Sequence, residues 1–273
     1  MIPILFKIGP VTIYSWGFFL VASYLVATFI LWREGKRQGY NEEKLLDLSI
    51  ISLLAALVGG RAFFVLLNWP LFKEEPLSTL SFWQGGFAYQ GAFFAVVAAA
   101  YFLIRAWKWS FLQIADISSL SVTAALVLGK IGAFLAGLDF GKETSLPWAV
   151  NFPSLVGARH PAQLYEAGSF FLIFFILSVA YFRNIGSANM RSGKVFFYFL
   201  ILTNFAKVFL EFFRADYARF GPFPLISFIS FIIAITSFFA LYYFQIRDVK
   251  SDVWGVLRAV FSFNKVFLRK IRF

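Results

Sequence analysis

Apolar runs of about 20 residues recur along the whole chain, separated by short polar connections. A run of that length crosses roughly 30 Å of hydrocarbon as a helix, because each residue advances about 1.5 Å and a helix satisfies its own backbone polar groups in lipid. The pattern predicts seven spans, at residues 11–32, 45–69, 86–107, 111–138, 161–182, 194–213 and 223–243. Gly and Pro mark the connections, as in Trp69-Pro70, Glu75-Pro76, Gly85-Gly86, Gly221-Pro222 and the Asn184 to Gly193 loop. The expected fold is all-α, a single polytopic membrane domain over residues 1–273 with no soluble appendage, internal repeat or low-complexity tract. The uncharged run from Val11 to Trp32 is too long and too aromatic for a cleavable signal peptide, so it stays as a helix.

Composition agrees with lipid as the solvent. The chain is 60% hydrophobic and 14% charged, well away from the half-apolar, quarter-charged balance of soluble domains. A net charge of +11 raises nucleic acid as a partner, but the basic residues are dispersed among apolar segments and form no hydrophilic stripe. Anionic lipid fits better. The sequence has no cysteine, which excludes disulfides, thiolate metal sites and a lipid-attached thiol of its own. With one histidine, no His-Glu-x-x-His and no Gly-rich loop ending in Gly-Lys-Ser/Thr, no metal or other cofactor is expected.

Lys and Arg set the expected orientation. Loops one, three and five and the C-terminal tail hold 16 of them, against 6 on the opposite side. Positive charge collects in the cytoplasm, so the N-terminus is expected outside and the C-terminus inside a bacterial inner membrane. On that reading residues 139–160 form an external loop and 247–273 a basic cytoplasmic tail. From Asp252 to Phe273 the tail mixes Trp254, Phe261, Phe263 and Phe267 with Arg258, Lys265, Arg269, Lys270 and Arg272, a composition suited to lying on the membrane surface.

Charged side chains within spans cost on the order of 3 kcal/mol each in hydrocarbon, so each needs a partner or a use. They are Arg61, Lys130, Glu166, Lys207 and Glu211, whereas Asp47 and Asp116 sit near span ends within reach of the headgroups. Lys207, Glu211 and Arg214, spaced four and three apart, share one helix face. They form either an internal salt bridge or, with Arg61 and Lys130, a surplus of positive charge that draws a phosphate into a dry groove. The 23 residues from Leu138 to His160 are the most polar external stretch and include Asp139, Lys142, Glu143, Thr144, Asn151 and Arg159. Arg159-His160-Pro161-Ala162-Gln163-Leu164-Tyr165-Glu166 then packs a cation, the one histidine, an amide and an acid around a helix start. Pro161 suits a first helical turn, whose free N–H groups form an anion site unless they serve only to cap the helix and anchor the loop.

These residues resemble the bacterial phosphatidylglycerol–prolipoprotein diacylglyceryl transferases. The resemblance covers most of the chain: Ile8-Gly9-Pro10 with Tyr14-Ser15-Trp16-Gly17, Gly59-Gly60-Arg61 and Trp83-Gln84-Gly85-Gly86. Gly129-Lys130-Ile131-Gly132-Ala133-Phe134-Leu135-Ala136-Gly137-Leu138 lies over the family signature Gly-Arg-x-Gly-Asn-Phe-x-Asn-x-Glu, with Gly141 in step behind it. Pro147-Trp148-Ala149-Val150, Phe152-Pro153, Arg159-His160-Pro161, Gln163-Leu164-Tyr165-Glu166 and Glu211-Phe212-Phe213-Arg214 complete the series. The resemblance implies transfer of the diacylglyceryl group of phosphatidylglycerol to a cysteine thiol in a prolipoprotein signal peptide, releasing glycerol phosphate. Such chemistry needs cations for the departing phosphate and a group that favours the thiolate.

The chain departs from the pattern at its polar positions. Where the family has His before Gly-Gly, it reads Tyr89-Gln90-Gly91-Ala92, and Gln90 accepts no thiol proton. In the signature the Arg is Lys130, the two Asn are Ala133 and Ala136, and the Glu is Leu138. Lys207 likewise stands where the family has Arg, so both lysines keep charge but lose the planar fork that grips two phosphate oxygens. The expected site therefore has Arg61, Lys130, Lys207 and Arg214 on the headgroup in a cavity lined by spans two, four, five and six. Arg159, Gln163, Tyr165 and Glu211 complete the binding set, and His160, Glu166 and Asp139 are the candidate catalytic groups. A noncatalytic binder of phospholipid or signal peptide, and a small-solute transporter using the same charged interior, are the alternatives.

Overall fold

The computed structural model describes residues 1–153, 155–185, 192–215, 219–220 and 223–246. The basic tail at 247–273 lies outside the described residues, as does part of the connection around 186–191. Among the described residues, seven helices are long and apolar enough to cross a membrane. They are α1 (Ser15–Arg37), α2 (Glu42–Leu67), α4 (Tyr89–Ala106), α5 (Phe111–Ala136), α6 (Ala162–Ile185), α7 (Lys194–Leu210) and α8 (Leu225–Leu241), with the four-residue α3 (Trp69–Phe72) after α2. The chain is a multi-pass, all-α membrane protein. Its first helix opens four residues later than the hydropathy run, because Val11–Tyr14 pairs as strand β2 with β1 (Ile4–Ile8) in an antiparallel hairpin.

By internal contacts the chain divides into two compact units, Val21–Ala125 and Met1–Leu20 with Leu126–Phe273; α1 and α5 run through both. Within the first, α2 and α4 approach through glycine. A Cβ on Gly59 would lie 2.7 Å from the Gly91 carbonyl oxygen, so only glycine lets the two backbones touch. Thr28 and Ser49 share a hydrogen bond of 2.5 Å, and the Ser49 hydroxyl donates to Tyr24. Asn41 caps α2 by accepting from the Lys44 N–H, with Glu42 and Glu43 at the positive end of the helix dipole.

In the second unit, α8 turns small polar residues inward and large apolar ones outward, an arrangement lipid favours. On α8, Ser227, Ser230 and Ser237 are buried while Phe231, Phe238 and Phe239 are exposed, and Ser227 Oγ donates to the Val208 carbonyl of α7. α5 ends in a Schellman motif: the Gly137 N–H reaches the Phe134 carbonyl and the Leu138 N–H the Ala133 carbonyl. Gly137 takes φ +75°, which a side chain resists, and so turns the chain sharply into the loop that follows α5.

That loop lies as the middle layer of a small clasp. The Lys142 N–H donates to Phe213 and the Ala215 N–H to Phe140, while Gly141 and Thr144 donate to His160 and Ala158 on the other side. Strand β3 (Val150–Asn151) pairs with β4 (Ala158–Arg159) beyond. Gly141 sits between two chains: a Cβ there would meet the His160 Cβ at 2.7 Å and the Phe213 carbonyl oxygen at 2.9 Å. The clasp brings the ends of α5, α6 and α7 together.

Candidate functional site

Six charged side chains at those helix ends close a ring of alternating sign. Lys130, in the last turns of α5, contacts Asp139 at 2.8 Å and Glu166 of α6 more closely still. Glu166 reaches Lys207 of α7 at 3.1 Å, and Lys207 reaches Glu211 at 3.6 Å. Arg214 closes the circuit, 3.8 Å from Glu211 and 3.2 Å from Asp139. The Lys207, Glu211 and Arg214 spacing makes two of these contacts, although α7 ends at Leu210, a 3-10 turn carries Glu211 and Arg214 follows it with extended backbone, so the three do not share one α-helical face. Lys130 and Asp139 meet across the turn after α5, nine residues apart, and the other three contacts join elements distant in sequence.

Three cations face three carboxylates, so the expected surplus of positive charge is corrected: the ring is formally neutral. Alternation is the low-cost way to keep such groups near hydrocarbon, since each charge has opposite neighbours on both sides. Glu166 and Glu211 are almost wholly buried, with 3% and 1% of the side chain exposed, whereas Asp139 is 39% exposed. Burial pushes the Asp139 carboxyl up, but the Lys130 hydrogen bond and charge, with Arg214 and Lys207 nearby, outweigh it and hold the group below its ordinary value. Neither Glu211 oxygen has a hydrogen-bond partner among the described residues, because its two ion contacts are longer than hydrogen bonds.

Beside the ring, His160 stands in an aromatic box. Its Nδ1 lies 3.2 Å from the Tyr165 hydroxyl, which accepts from Trp148 Nε1 at 2.7 Å, and Phe213 packs edge-on against both His160 and Tyr165. An indole N–H only donates, so the Tyr165 proton is directed to Nδ1 unless Nδ1 carries its own. Gln163 is fully buried, and its side-chain amide donates to the Leu138 carbonyl, tying the turn after α5 to the start of α6. Arg159 pairs with Glu143 at 2.8 Å and lies over the Phe140 ring, which makes it a fastener of the loop.

Arg61 has a different employment from the phosphate binding expected of it. Its guanidinium donates to the backbone carbonyls of Ser78, Thr79, Gly85 and Gly86. It is buried in the unit formed by residues 21–125, where Phe72 and Phe64 line it. Its donors organise the segment between α2 and α4. Gln90 lies exposed in the first turn of α4 in the same unit, and Ala133 is buried where the signature has an amide. Among the described residues no cluster of three or more His, Cys, Asp or Glu side chains is arranged to hold a metal ion.

Sequence reading passed over Trp148 and Glu143 as site residues, and over Phe213. Only the family-like Pro147-Trp148 pair pointed toward the first; for Glu143 nothing local signalled Arg159, sixteen residues on.

The chain matches the family profile described as prolipoprotein diacylglyceryl transferase over residues 3–243. Relatives named phosphatidylglycerol–prolipoprotein diacylglyceryl transferase include that of Zymomonas mobilis, 32% identical over 233 residues and covering 80% of this chain and 81% of the relative. That of Photorhabdus laumondii is 31% identical over 251 residues, covering 82% and 85%. The Nostoc sp. protein is 29% identical over 237 residues, covering 84% of each chain. With a match running from the N-terminal hairpin through the last membrane helix, the chain belongs to the prolipoprotein diacylglyceryl transferase family.

Proposed function

We propose that this protein moves the diacylglyceryl group of phosphatidylglycerol onto the cysteine thiol of a prolipoprotein signal peptide at the charged ring. A carbon–sulfur bond forms at the glyceryl carbon, the carbon–oxygen bond to phosphate breaks, and glycerol phosphate leaves with the electron pair. Lys130, Lys207 and Arg214 bind the phosphate and carry the charge that develops on the leaving group.

The thiol proton goes to His160. This requires the tautomer in which Nδ1–H donates to Tyr165, leaving Nε2 as the acceptor. Glu166 and Asp139 are poorer bases, because both oxygens of each already face cations. Glu166, buried between the two lysines, acts by positioning them. Arg159 and Gln163 hold the entrance loop, and Tyr165 orients the imidazole.

The observation that carries this reading is the gathering of three phosphate-competent cations at the ends of α5, α6 and α7. The charge count of the connections supports an N-terminus outside, a cytoplasmic C-terminus and placement in the bacterial inner membrane, with the ring at the outer leaflet. Purified protein incubated with phosphatidylglycerol and a peptide carrying a lipoprotein cysteine should yield a lipidated peptide. Absence of product under conditions where a relative with His at the Gln90 position is active removes the reading. Binding of phosphatidylglycerol without transfer would favour the noncatalytic alternative, which the glutamine at position 90 and the neutral ring support.

A further inference from the structure

The place between Lys130 and Arg214 is filled by a carboxylate that the chain supplies from a turn. Asp139 Oδ2 lies 2.8 Å from Lys130 Nζ and Oδ1 lies 3.2 Å from an Arg214 terminal nitrogen, one oxygen to each cation. Two non-bridging oxygens of a phosphate ester would span the same pair in the same way. Of the three ring carboxylates, Glu166 and Glu211 are closed off on helical segments, with 3% and 1% exposed, while Asp139 shows 39% of its side chain. The ring without it has three cations against two carboxylates.

Its backbone is equally particular. Asp139 takes φ +57°, a left-handed conformation that a side chain disfavours, directly after the Schellman turn at Gly137. Both flanks are pinned: the Leu138 carbonyl accepts from Gln163, and the Gly141 N–H donates to His160 at 3.2 Å. The side chain therefore swings about its own torsions while the turn stays in place. Leu138, where the family signature carries Glu, contributes no charge to the ring, so Asp139 is the acid of this turn.

We propose that Asp139 controls access to the anion seat: its carboxylate stands between Lys130 and Arg214 in place of a ligand oxyanion, and leaves when a phosphate ester engages both cations. The proposal rests on the transfer reading above and adds to it the residue that substrate must displace. A ligand that reaches only one cation leaves Asp139 bonded to the other. Only an oxyanion able to satisfy the pair gains from the exchange.

Affinity for short-chain phosphatidylglycerol, measured on the full chain in detergent, tests this, with inorganic phosphate as a second arm to separate headgroup binding from free anion binding. Asp139→Asn keeps the shape and removes the charge, and should bind the lipid about tenfold more tightly, as loss of two competing ion pairs implies. Asp139→Glu, which retains the charge, should bind as wild type does. Equal or weaker lipid binding by Asp139→Asn overturns the proposal, as does a gain confined to inorganic phosphate. Where the Asn variant does not fold, carbodiimide labelling of the wild-type Asp139 carboxyl replaces it: labelling should accelerate on saturation with lipid, and an unchanged or slower rate is the contrary result. A wild type that lipidates peptide while Asp139→Asn gains no affinity overturns the access role alone. A wild type that neither lipidates peptide nor binds the lipid, with no gain in the variant, overturns both readings.

Discussion

Lys207 Nζ lies 3.1 Å from Glu166 Oε1, and this contact ties α7 to α6 through the buried part of the ring. Glu166 also holds Lys130 of α5, so one carboxylate joins three helices. Glu166→Gln leaves three cations against two acids in a site largely closed to water. The variant should lose about 3 kcal/mol of stability, read as a lowered thermal unfolding midpoint in detergent. Peptide lipidation should fall with it even at temperatures where the variant remains folded, because both lysines lose their orientation.

Arg61 should act through the backbone it holds. Arg61→Lys keeps the charge but cannot reach the four carbonyls from Ser78 to Gly86 at once. We expect a cost of about 2 kcal/mol from carbonyls left without donors, and faster amide hydrogen exchange across residues 73–88. Unchanged exchange there would contradict the role assigned to Arg61.

Gly141 tests the clasp. In Gly141→Ala the new methyl group would lie 2.9 Å from the Phe213 carbonyl oxygen and would also press on the His160 backbone, and neither chain has a flexible end to move away. The expected loss is about 3 kcal/mol. The change should also abolish lipidation, since the clasp sets the distance between Lys130 and Arg214.

Gln90 lies exposed in the first turn of α4, so Gln90→His should alter stability by less than about 0.5 kcal/mol. With His160 taking the thiol proton, Gln90→His is expected to leave the rate of peptide lipidation unchanged, and a clear rise would move that role to position 90. A rate that stays at the wild-type level would leave His160 as the working proton acceptor.

The pH dependence of Asp139 has a definite sign. Its folded value is depressed below the ordinary 3.8, so its contribution to stability is complete above that value and is lost as pH falls through the lower, folded one. The difference in unfolding midpoint between wild type and Asp139→Asn should hold from pH 7 to about pH 5 and shrink in more acidic solution. A difference that grows on acidification would contradict the Lys130 and Arg214 pairing.

Much of the architecture was legible because lipid makes it a local property. Whether a segment such as 162–185 spans the membrane depends on its own length and hydropathy, whereas Pro161, expected in the first turn, takes the N-cap position one residue before the helix begins, its carbonyl accepting from the Tyr165 N–H. Lys207, Glu211 and Arg214 were likewise readable as neighbours from helical spacing. Arg61 was not. Its charge within an apolar run announces a need for a partner but says nothing about whether that partner is a ligand phosphate or four backbone carbonyls 17 to 25 residues away.

The sequence by itself determined the number of membrane helices, the family pattern and the identities of the charged groups that had to be compensated. Tertiary structure alone decided which charges compensate which. Asp139 meets Arg214 across 75 residues and Glu166 meets Lys207 across 41, contacts set by where the clasp brings three helix ends together. Hydropathy acts through each segment's transfer into lipid, one segment at a time, whereas an ion pair depends on a distance of a few ångströms between separate segments that only the packed fold fixes.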